Sequence, residues 1–263
     1  MGEKTTFYPG LDVYIRQDPL GFAYGDGVCG PAPEQRTLSQ IRGSLRDANA
    51  SGPEIVYAIA MDVSKKEHRQ NLLDRMLLFG VVTYASGRLG DEPIRSQGHI
   101  HRVSEHSGWS PPEIYEIWSG KAYIYMQEKA EDHPGRCFAV YAEPGDVVVV
   151  PPFWAHATIS ADPNQALTFG AWCDREYGFE YDEIKARNGL AWYPIVEKDG
   201  RIKWVRNERY EQSELVVKKP GDYSRLGITS NQPIYEQFAE NPDRFQFVSK
   251  PGLKGKSWIS FTP

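Results

Sequence analysis

The alternation of apolar and polar positions predicts a chain built mainly from short β-strands. Between residues 77 and 206, runs rich in Val, Ile, Tyr, Phe and Thr recur about every 8–12 residues, separated by Gly, Pro or Asp. The clearest runs are 77–85, 113–118, 122–127, 137–142, 146–151, 166–172 and 191–196. Strands of this length and spacing are typical of a β-sandwich or a closed β-barrel. We therefore predict an all-β fold.

The segments that flank these strands carry weaker, helical patterns. Short helical stretches are expected at residues 35–48, 64–75, 180–187 and 233–240. In the second of them, Ser64 followed by Glu67 would form a capping box. We predict three regions, which are an N-terminal arm with a short helix (1–50), a barrel (51–210) and a C-terminal extension (211–263).

Charge and composition exclude several classes of protein. The 263-residue chain has a net charge of -5, unlike the basic face of nucleic-acid-binding proteins, so we expect no nucleic-acid partner. No run approaches the roughly 18 apolar residues that span a bilayer, and none follows Met1, so we expect no membrane association and no signal peptide. The three cysteines are far apart, which favours a reducing compartment and therefore the cytoplasm.

Four side chains with metal-binding chemistry follow one another in a distinctive order. His99 and His101 are two residues apart, so on a strand both imidazoles project from the same face. Glu113 begins a predicted strand, and His156 follows a pair of prolines at the end of another. Three imidazoles and one carboxylate suit Fe, Mn, Zn or Ni, and the spacing does not choose among them. We predict one divalent transition metal ion per subunit.

This order of motifs resembles the cupin superfamily and, within it, the archaeal-type phosphoglucose isomerase family. The likeness is carried by residues 98–127, 143–160, 177–178 and 191–210, and it covers about residues 54–210. The resemblance implies a cupin barrel, which is a double-stranded β-helix or jelly-roll, with a few peripheral helices and terminal extensions. It also implies a homodimeric, metal-dependent isomerase that interconverts glucose 6-phosphate and fructose 6-phosphate.

The resemblance further implies roles for individual residues. The metal ligands are the four residues named above, and Glu113 is also the candidate base. Tyr115 and Tyr177 match catalytic tyrosines of the family. Ser96 and Gly98 match positions near the substrate phosphate, where the family often has Thr rather than Ser.

Several positions depart from the family pattern where the 6-substituent of the sugar is expected. Val82 stands where the family has a threonine, with Thr83 beside it, and Trp172 replaces a tyrosine. Arg95 and His106 are further candidate substrate contacts, since an arginine binds an oxyanion through two parallel hydrogen bonds. These departures leave open a sugar with another anionic 6-substituent, for example the conversion of sulfoquinovose to 6-deoxy-6-sulfofructose.

Two other classes of function remain open from the sequence. A different cupin enzyme, such as an epimerase or a dioxygenase, would use the same kind of ligand set. A non-catalytic sugar-binding cupin is disfavoured because all four metal ligands are present. For the isomerase, proton transfer by Glu113 through an enediolate competes with a metal-assisted hydride shift.

Overall fold

Strands dominate the structure, a computed structural model that describes residues 2–263. In this part of the chain the strands are β1 (Val13–Gln17), β2 (Leu20–Tyr24), β3 (Val28–Cys29), β4 (Glu34–Thr37), β5 (Ile55–Ala60), β6 (Ser64–Lys65), β7 (Leu77–Tyr84), β8 (Arg88–Leu89), β9 (Glu92–Pro93), β10 (Ile100–His101), β11 (Glu113–Ser119), β12 (Ala122–Gln127), β13 (Cys137–Ala142), β14 (Val147–Val150), β15 (Ala155–Ser160), β16 (Leu167–Asp174), β17 (Phe179–Glu180), β18 (Trp192–Val196), β19 (Ile202–Arg206) and β20 (Leu215–Lys218).

The helices are short and lie around these strands. The α-helices are α1 (Leu38–Ile41), α2 (Arg69–Asp74), α3 (Asp182–Ala186), α4 (Ile234–Glu240), α5 (Gln246–Ser249) and α6 (Gly255–Trp258). Short 3₁₀ helices cover Arg42–Ser44, Lys66–His68, Ser224–Leu226 and Pro251–Lys254. Over residues 2–263, no helix combines the length and the apolar character that a membrane crossing requires.

Two sheets enclose the interior of the barrel. The larger sheet has six strands in the order β14-β11-β16-β7-β5-β4, and the smaller has four in the order β15-β12-β13-β20. Neighbouring strands run antiparallel except for β13 and β20, which are parallel. One cluster of buried apolar side chains draws residues from both sheets. This is a jelly-roll arrangement, and it confirms the predicted all-β cupin barrel.

Strand β11 shows how side chains divide between the two faces of the larger sheet. Tyr115 and Ile117 belong to the interior cluster, whereas Ile114 and Trp118 pack in a second cluster on the outer face. Because successive side chains of a strand point to opposite faces, Glu113 points inward with Tyr115. Glu113, Tyr115 and Ile117 therefore share the inner face of β11.

The C-terminal segment covers the outer face of the larger sheet. Trp172 of β16 is fully buried there, and its ring centroid lies 4.8 Å from that of Phe238 on α4. Nearby, the Glu116 carboxylate accepts hydrogen bonds from Ile234 N (2.7 Å) and from Trp118 Nε1 (3.0 Å). Burial raises the pKa of Glu116 to about 8. Aromatic packing and one buried carboxylate thus attach this segment to the barrel.

The helix predicted at residues 35–48 is only partly confirmed. Glu34–Thr37 form β4, which pairs with β5 at the edge of the larger sheet, and α1 is one turn long. A capping box does occur here, because Thr37 N donates to Gln40 Oε1 at 2.8 Å. The backbone of this segment therefore pairs with a distant strand instead of continuing its helix.

The capping box predicted at Ser64 and Glu67 is wrong. Ser64 is fully buried in β6, where it pairs with Cys29 of β3, and α2 begins only at Arg69. The helices predicted near 180–187 and 233–240 are confirmed by α3 and α4. The division at residues 50 and 210 stays a prediction, and both flanking regions contribute a strand, β4 and β20, to the barrel sheets.

Gly170 of β16 lies where aromatic rings press against the backbone. A Cβ atom there would overlap Trp118 Cζ2 and would lie 2.6 Å from Phe79 Cζ. We expect Gly170→Ala to lower the free energy of unfolding by about 1–3 kcal/mol, because both rings are held in a packed core. Urea unfolding followed by tryptophan fluorescence measures the change.

The matched control is Gly255→Ala. No atom lies within 4 Å of a Cβ built on Gly255, and its φ of -48° is helical. Its stability should equal that of the unsubstituted protein or rise slightly, since alanine favours a helix over glycine. Equal stabilities of the Gly170 and Gly255 variants would contradict the packing described here.

Candidate metal centre

Four side chains converge inside the barrel, namely those of His99, His101, Glu113 and His156. One potential ligand atom from each lies within 4.8 Å of the others. The backbones of His99 and His156 are joined by two hydrogen bonds of 3.0 and 2.9 Å, and Glu113 begins β11. Pairing between distant segments therefore brings together the four residues that the sequence predicts as metal ligands.

Backbone carbonyls orient two of the imidazoles. His101 Nδ1 lies 2.9 Å from the carbonyl oxygen of Pro111, and His156 Nδ1 lies 3.0 Å from that of Trp154. A carbonyl oxygen only accepts, so each Nδ1 donates to it, and each Nε2 is the ring nitrogen that remains available to a metal ion. This second hydrogen bond is the usual way in which a protein fixes a metal-ligating histidine.

The Nε2 atoms of His99 and His101 are buried and form no hydrogen bond. His101 Nε2 lies 3.2 Å from Glu113 Oε2, but without hydrogen-bond geometry. Burial, followed by the neighbouring His156 and His101, lowers the pKa of His99 well below its usual value. Buried imidazole nitrogens without hydrogen-bond partners, beside one carboxylate, fit a divalent transition metal ion.

Glu113 is the most heavily contacted member of the centre. Its Oε2 accepts a hydrogen bond of 2.6 Å from the Tyr115 hydroxyl and lies 3.1 Å from His156 Nε2. Its Oε1 accepts one of 3.1 Å from Cys173 Sγ. Burial opposes ionisation of Glu113, but the neighbouring His101 and His156 side chains outweigh it and hold its pKa well below the usual value.

The metal centre lies against a narrow inner cavity of about 70 Å³, which His99, Glu113 and Tyr115 help to line. A wider outer cleft of about 630 Å³ shares four lining residues with this cavity, so the two are adjacent. Phe179 is among the shared residues, and its ring centroid lies 4.4 Å from that of His99. The histidines therefore lie close to the residues that the cavity and the cleft share.

Three further predicted site residues line this cavity or the cleft, and a fourth, Gly98, directly precedes His99. Ser96 and Tyr115 line the inner cavity, and Tyr177 lines the outer cleft. Gly98 adopts a φ of +83° just before His99, a conformation that glycine adopts readily. A Cβ at Gly98 would also lie 2.9 Å from Leu190 Cδ1, so glycine fits both the turn and the space behind it.

The structure corrects the predictions for Thr83 and Trp172 as substrate contacts. Both residues are on the outer face of the larger sheet, where Thr83 Oγ1 lies 2.9 Å from Thr168 Oγ1 and Trp172 packs against the C-terminal segment. Their sequence neighbours Val82 and Ala171 line the cavity instead. Alternation along the strands accounts for both errors, because neighbouring residues point to opposite faces.

The predictions for Arg95 and His106 are corrected as well. Arg95 is buried outside the cavity, donating to Glu92 Oε2 at 2.7 Å and to the carbonyl oxygen of Ser44 at 2.6 Å. His106 Nε2 lies 3.1 Å from Asp174 Oδ2, in the loop that precedes β11. Both side chains already have protein partners, and neither lines the inner cavity.

Reasoning from the sequence missed several cavity residues. Cys173 contacts Glu113 and directly follows Trp172, the residue of this strand that the sequence analysis selected instead. Arg36, Tyr57 and Tyr181 also line the inner cavity. No local pattern marked them, because the pairing of β4 with β5 that brings two of them to the cavity joins separate parts of the chain.

Comparison with known proteins identifies relatives of this chain. A model of the family described as "Glucose-6-phosphate isomerase (GPI)" matches residues 35–213. The glucose-6-phosphate isomerase of Thermococcus kodakarensis is 28% identical over 183 residues, covering 67% of this chain and 87% of that protein. That of Pyrococcus abyssi is 27% identical over 205 residues, covering 74% of this chain and 98% of that protein.

Among solved structures, oxalate decarboxylase from Bacillus subtilis aligns with a TM-score of 0.34 and 17% identity, over 48% of this chain and 27% of that chain. The family match spans more than half of this chain and includes all four residues of the metal centre. The chain therefore belongs to the glucose-6-phosphate isomerase family.

Proposed function

We propose that this protein is a metal-dependent aldose–ketose isomerase that interconverts glucose 6-phosphate and fructose 6-phosphate. One observation carries the proposal: three imidazoles and a carboxylate meet beside a cavity, and the Nε2 atoms of His99 and His101 are buried without a hydrogen-bond partner. Relatives that are named glucose-6-phosphate isomerases support the choice of reaction and of substrate. Homodimerisation and a cytoplasmic location remain predictions from the sequence.

His99, His101, Glu113 and His156 would hold the metal ion. A divalent ion there would polarise the sugar carbonyl and stabilise the negative charge of an enediolate. Isomerisation moves a hydrogen from C2 to C1 of the aldose, while a hydroxyl proton moves from O2 to O1. Glu113 borders the cavity as a carboxylate, so we assign it the transfer of the carbon-bound proton.

Tyr115 would position this base. Its hydroxyl donates to Glu113 Oε2 at 2.6 Å. Burial, together with the adjacent Glu113 carboxylate, raises the pKa of Tyr115 well above its usual value, so the hydroxyl keeps its proton. Cys173 Sγ donates to the other carboxylate oxygen. With both oxygens contacted, the carboxylate is held in one orientation beside the cavity.

The direct test is an isomerisation assay on the purified protein, before and after metal removal with a chelator. Glucose 6-phosphate and 6-sulfo-glucose should both be offered, because the sequence leaves the 6-substituent open. We expect turnover of glucose 6-phosphate that is lost on chelation and restored by a divalent ion. Turnover that survives complete metal removal would refute the metal dependence, and turnover of the sulfo sugar alone would refute the substrate.

His156→Ala should release the metal and abolish isomerisation. The variant lacks one of three imidazoles, and we expect metal affinity to fall by more than about 100-fold, beyond the loss typical of outer-shell changes. Metal content per chain after gel filtration measures the effect. His133→Ala is the control, since His133 is exposed and outside the centre, and it should retain both metal and activity. Metal retention equal to that of this control would remove His156 from the ligand set.

Glu113→Gln should lower kcat by about 10²–10⁴-fold, because the amide keeps the shape of the side chain but cannot accept the proton. Metal content and the circular dichroism spectrum, measured in parallel, separate a loss of chemistry from a loss of structure. Turnover of the unsubstituted enzyme in D₂O is the second measurement. Deuterium incorporation at the carbon that receives the hydrogen supports proton transfer. If no deuterium is incorporated and Glu113→Gln keeps its activity, a hydride shift is favoured.

A further inference from the structure

We propose that Arg36 binds the anionic group on carbon 6 of the sugar and thereby sets the orientation of the substrate relative to the metal centre. This inference rests on the proposed isomerase function. It concerns the shared chemistry of tetrahedral oxyanions, phosphate and sulfonate, which an arginine recognises through two parallel hydrogen bonds.

Arg36 stands where the cavity and the cleft meet. It lies on β4, at the edge of the larger sheet, and its cross-strand partner on β5 is Tyr57. It lines both the inner cavity and the outer cleft, whereas His99 and Glu113 line the cavity only. A molecule that reaches from the histidines toward the cleft therefore passes Arg36.

Arg36 supplies positive charge that the rest of the inner cavity lacks. Among the described residues that line this cavity, it is the single lysine or arginine, and Glu113 is the single carboxylate. An anion entering the cavity is therefore attracted by Arg36. The proposed isomerase function places the carbonyl end of the sugar at the metal centre, so Arg36 is the cationic side chain that remains for the 6-substituent.

Neutral hydrogen-bonding side chains line the cavity that contains both Arg36 and the metal centre. Tyr57, Ser96, Gln97 and Tyr181 line the same cavity. Burial raises the pKa of Tyr57 to about 12, so its hydroxyl keeps its proton and can donate. Gln97 Oε1 is buried and has no hydrogen-bond partner. A sugar hydroxyl is a donor that would satisfy this oxygen.

The salt bridge that Arg36 already forms is weak enough to yield to a ligand. Arg36 Nη2 lies 3.1 Å from Glu34 Oε2, and the Glu34 side chain is 66% exposed. Exposed ion pairs of this kind add little stability, so an incoming anion can replace the carboxylate. The other arginine of the cleft, Arg69, faces Asp62 at 3.2 Å, and Asp62 is further held by Arg175.

The test compares Arg36→Ala, Arg36→Lys and the control Arg201→Ala in the metal-loaded enzyme. Arg201 is a largely exposed arginine outside the cavity and the cleft. For glucose 6-phosphate we expect Arg36→Ala to raise KM by roughly 10- to 100-fold, the loss expected for one charge-assisted hydrogen-bonded pair. Arg36→Lys should restore part of the lost affinity, because lysine keeps the positive charge but cannot form the two parallel hydrogen bonds of arginine. Metal content should stay unchanged in all three.

The split between KM and kcat separates binding of the anion from a structural role. Relative to the unsubstituted enzyme, Arg36→Ala should raise KM for glucose 6-phosphate, whereas a misfolded site would also lower kcat and metal content. Equal KM values for glucose 6-phosphate in these two proteins would overturn the proposal. The same comparison with 6-sulfo-glucose shows whether sulfonate uses the same arginine.

Calorimetric binding of glucose 6-phosphate distinguishes failure of this proposal from failure of the isomerase function. If the unsubstituted protein binds the sugar phosphate without isomerising it, and Arg36→Ala weakens binding, the anion site is supported and the isomerase function is refuted. If the protein isomerises the sugar phosphate and Arg36→Ala binds it with unchanged affinity, the isomerase function is supported and Arg36 is not the anion-binding residue.

Discussion

The structure depends on how the barrel holds polar side chains away from water. Imidazoles and a carboxylate are costly to bury unless hydrogen bonds or a metal ion satisfy them. Here the carbonyls of Pro111 and Trp154 each receive an imidazole N–H, and both belong to proline-containing loops that enter the barrel strands. The loops thus do more than connect strands, because they fix which nitrogen of His101 and His156 faces the centre.

The barrel alone would not complete this site. Both terminal segments contact the larger sheet, and apolar residues of both pack in the cluster on its outer face. The N-terminal segment also adds β4 at the edge of the sheet, and Arg36 of β4 lines both the inner cavity and the cleft. The C-terminal segment packs on the outer face, behind the strand that carries Glu113, and Glu116 of that strand accepts the Ile234 N–H. One strand, β11, therefore serves the metal centre on one face and the attachment of the C-terminal segment on the other.

The metal ligands could be predicted because their spacing and residue types are local features of the sequence. The inward face of β11 followed from alternation once Glu113 was taken as a ligand. Thr83 and Trp172 were assigned wrongly because, in β7 and β16, no residue of known role showed which side chains point into the barrel. Arg36 was missed for a different reason. The spacing of Leu38, Ile41 and Leu45 predicted a helix over this segment. The pairing with β5 that makes Glu34–Thr37 an edge strand is not indicated by any pattern in the neighbouring sequence.

Strand β20 ends the smaller sheet, and among residues 2–263 no further strand pairs with it there. Its Val216 and Val217 side chains are 40% and 51% exposed. An open, apolar edge invites the backbone of another molecule to add itself, which is a route to aggregation. Here Lys218, Lys219 and Pro220 follow the two valines. The positive charge of the two lysines, and the lack of an N–H in the proline, hinder the pairing of a strand from another molecule with this edge.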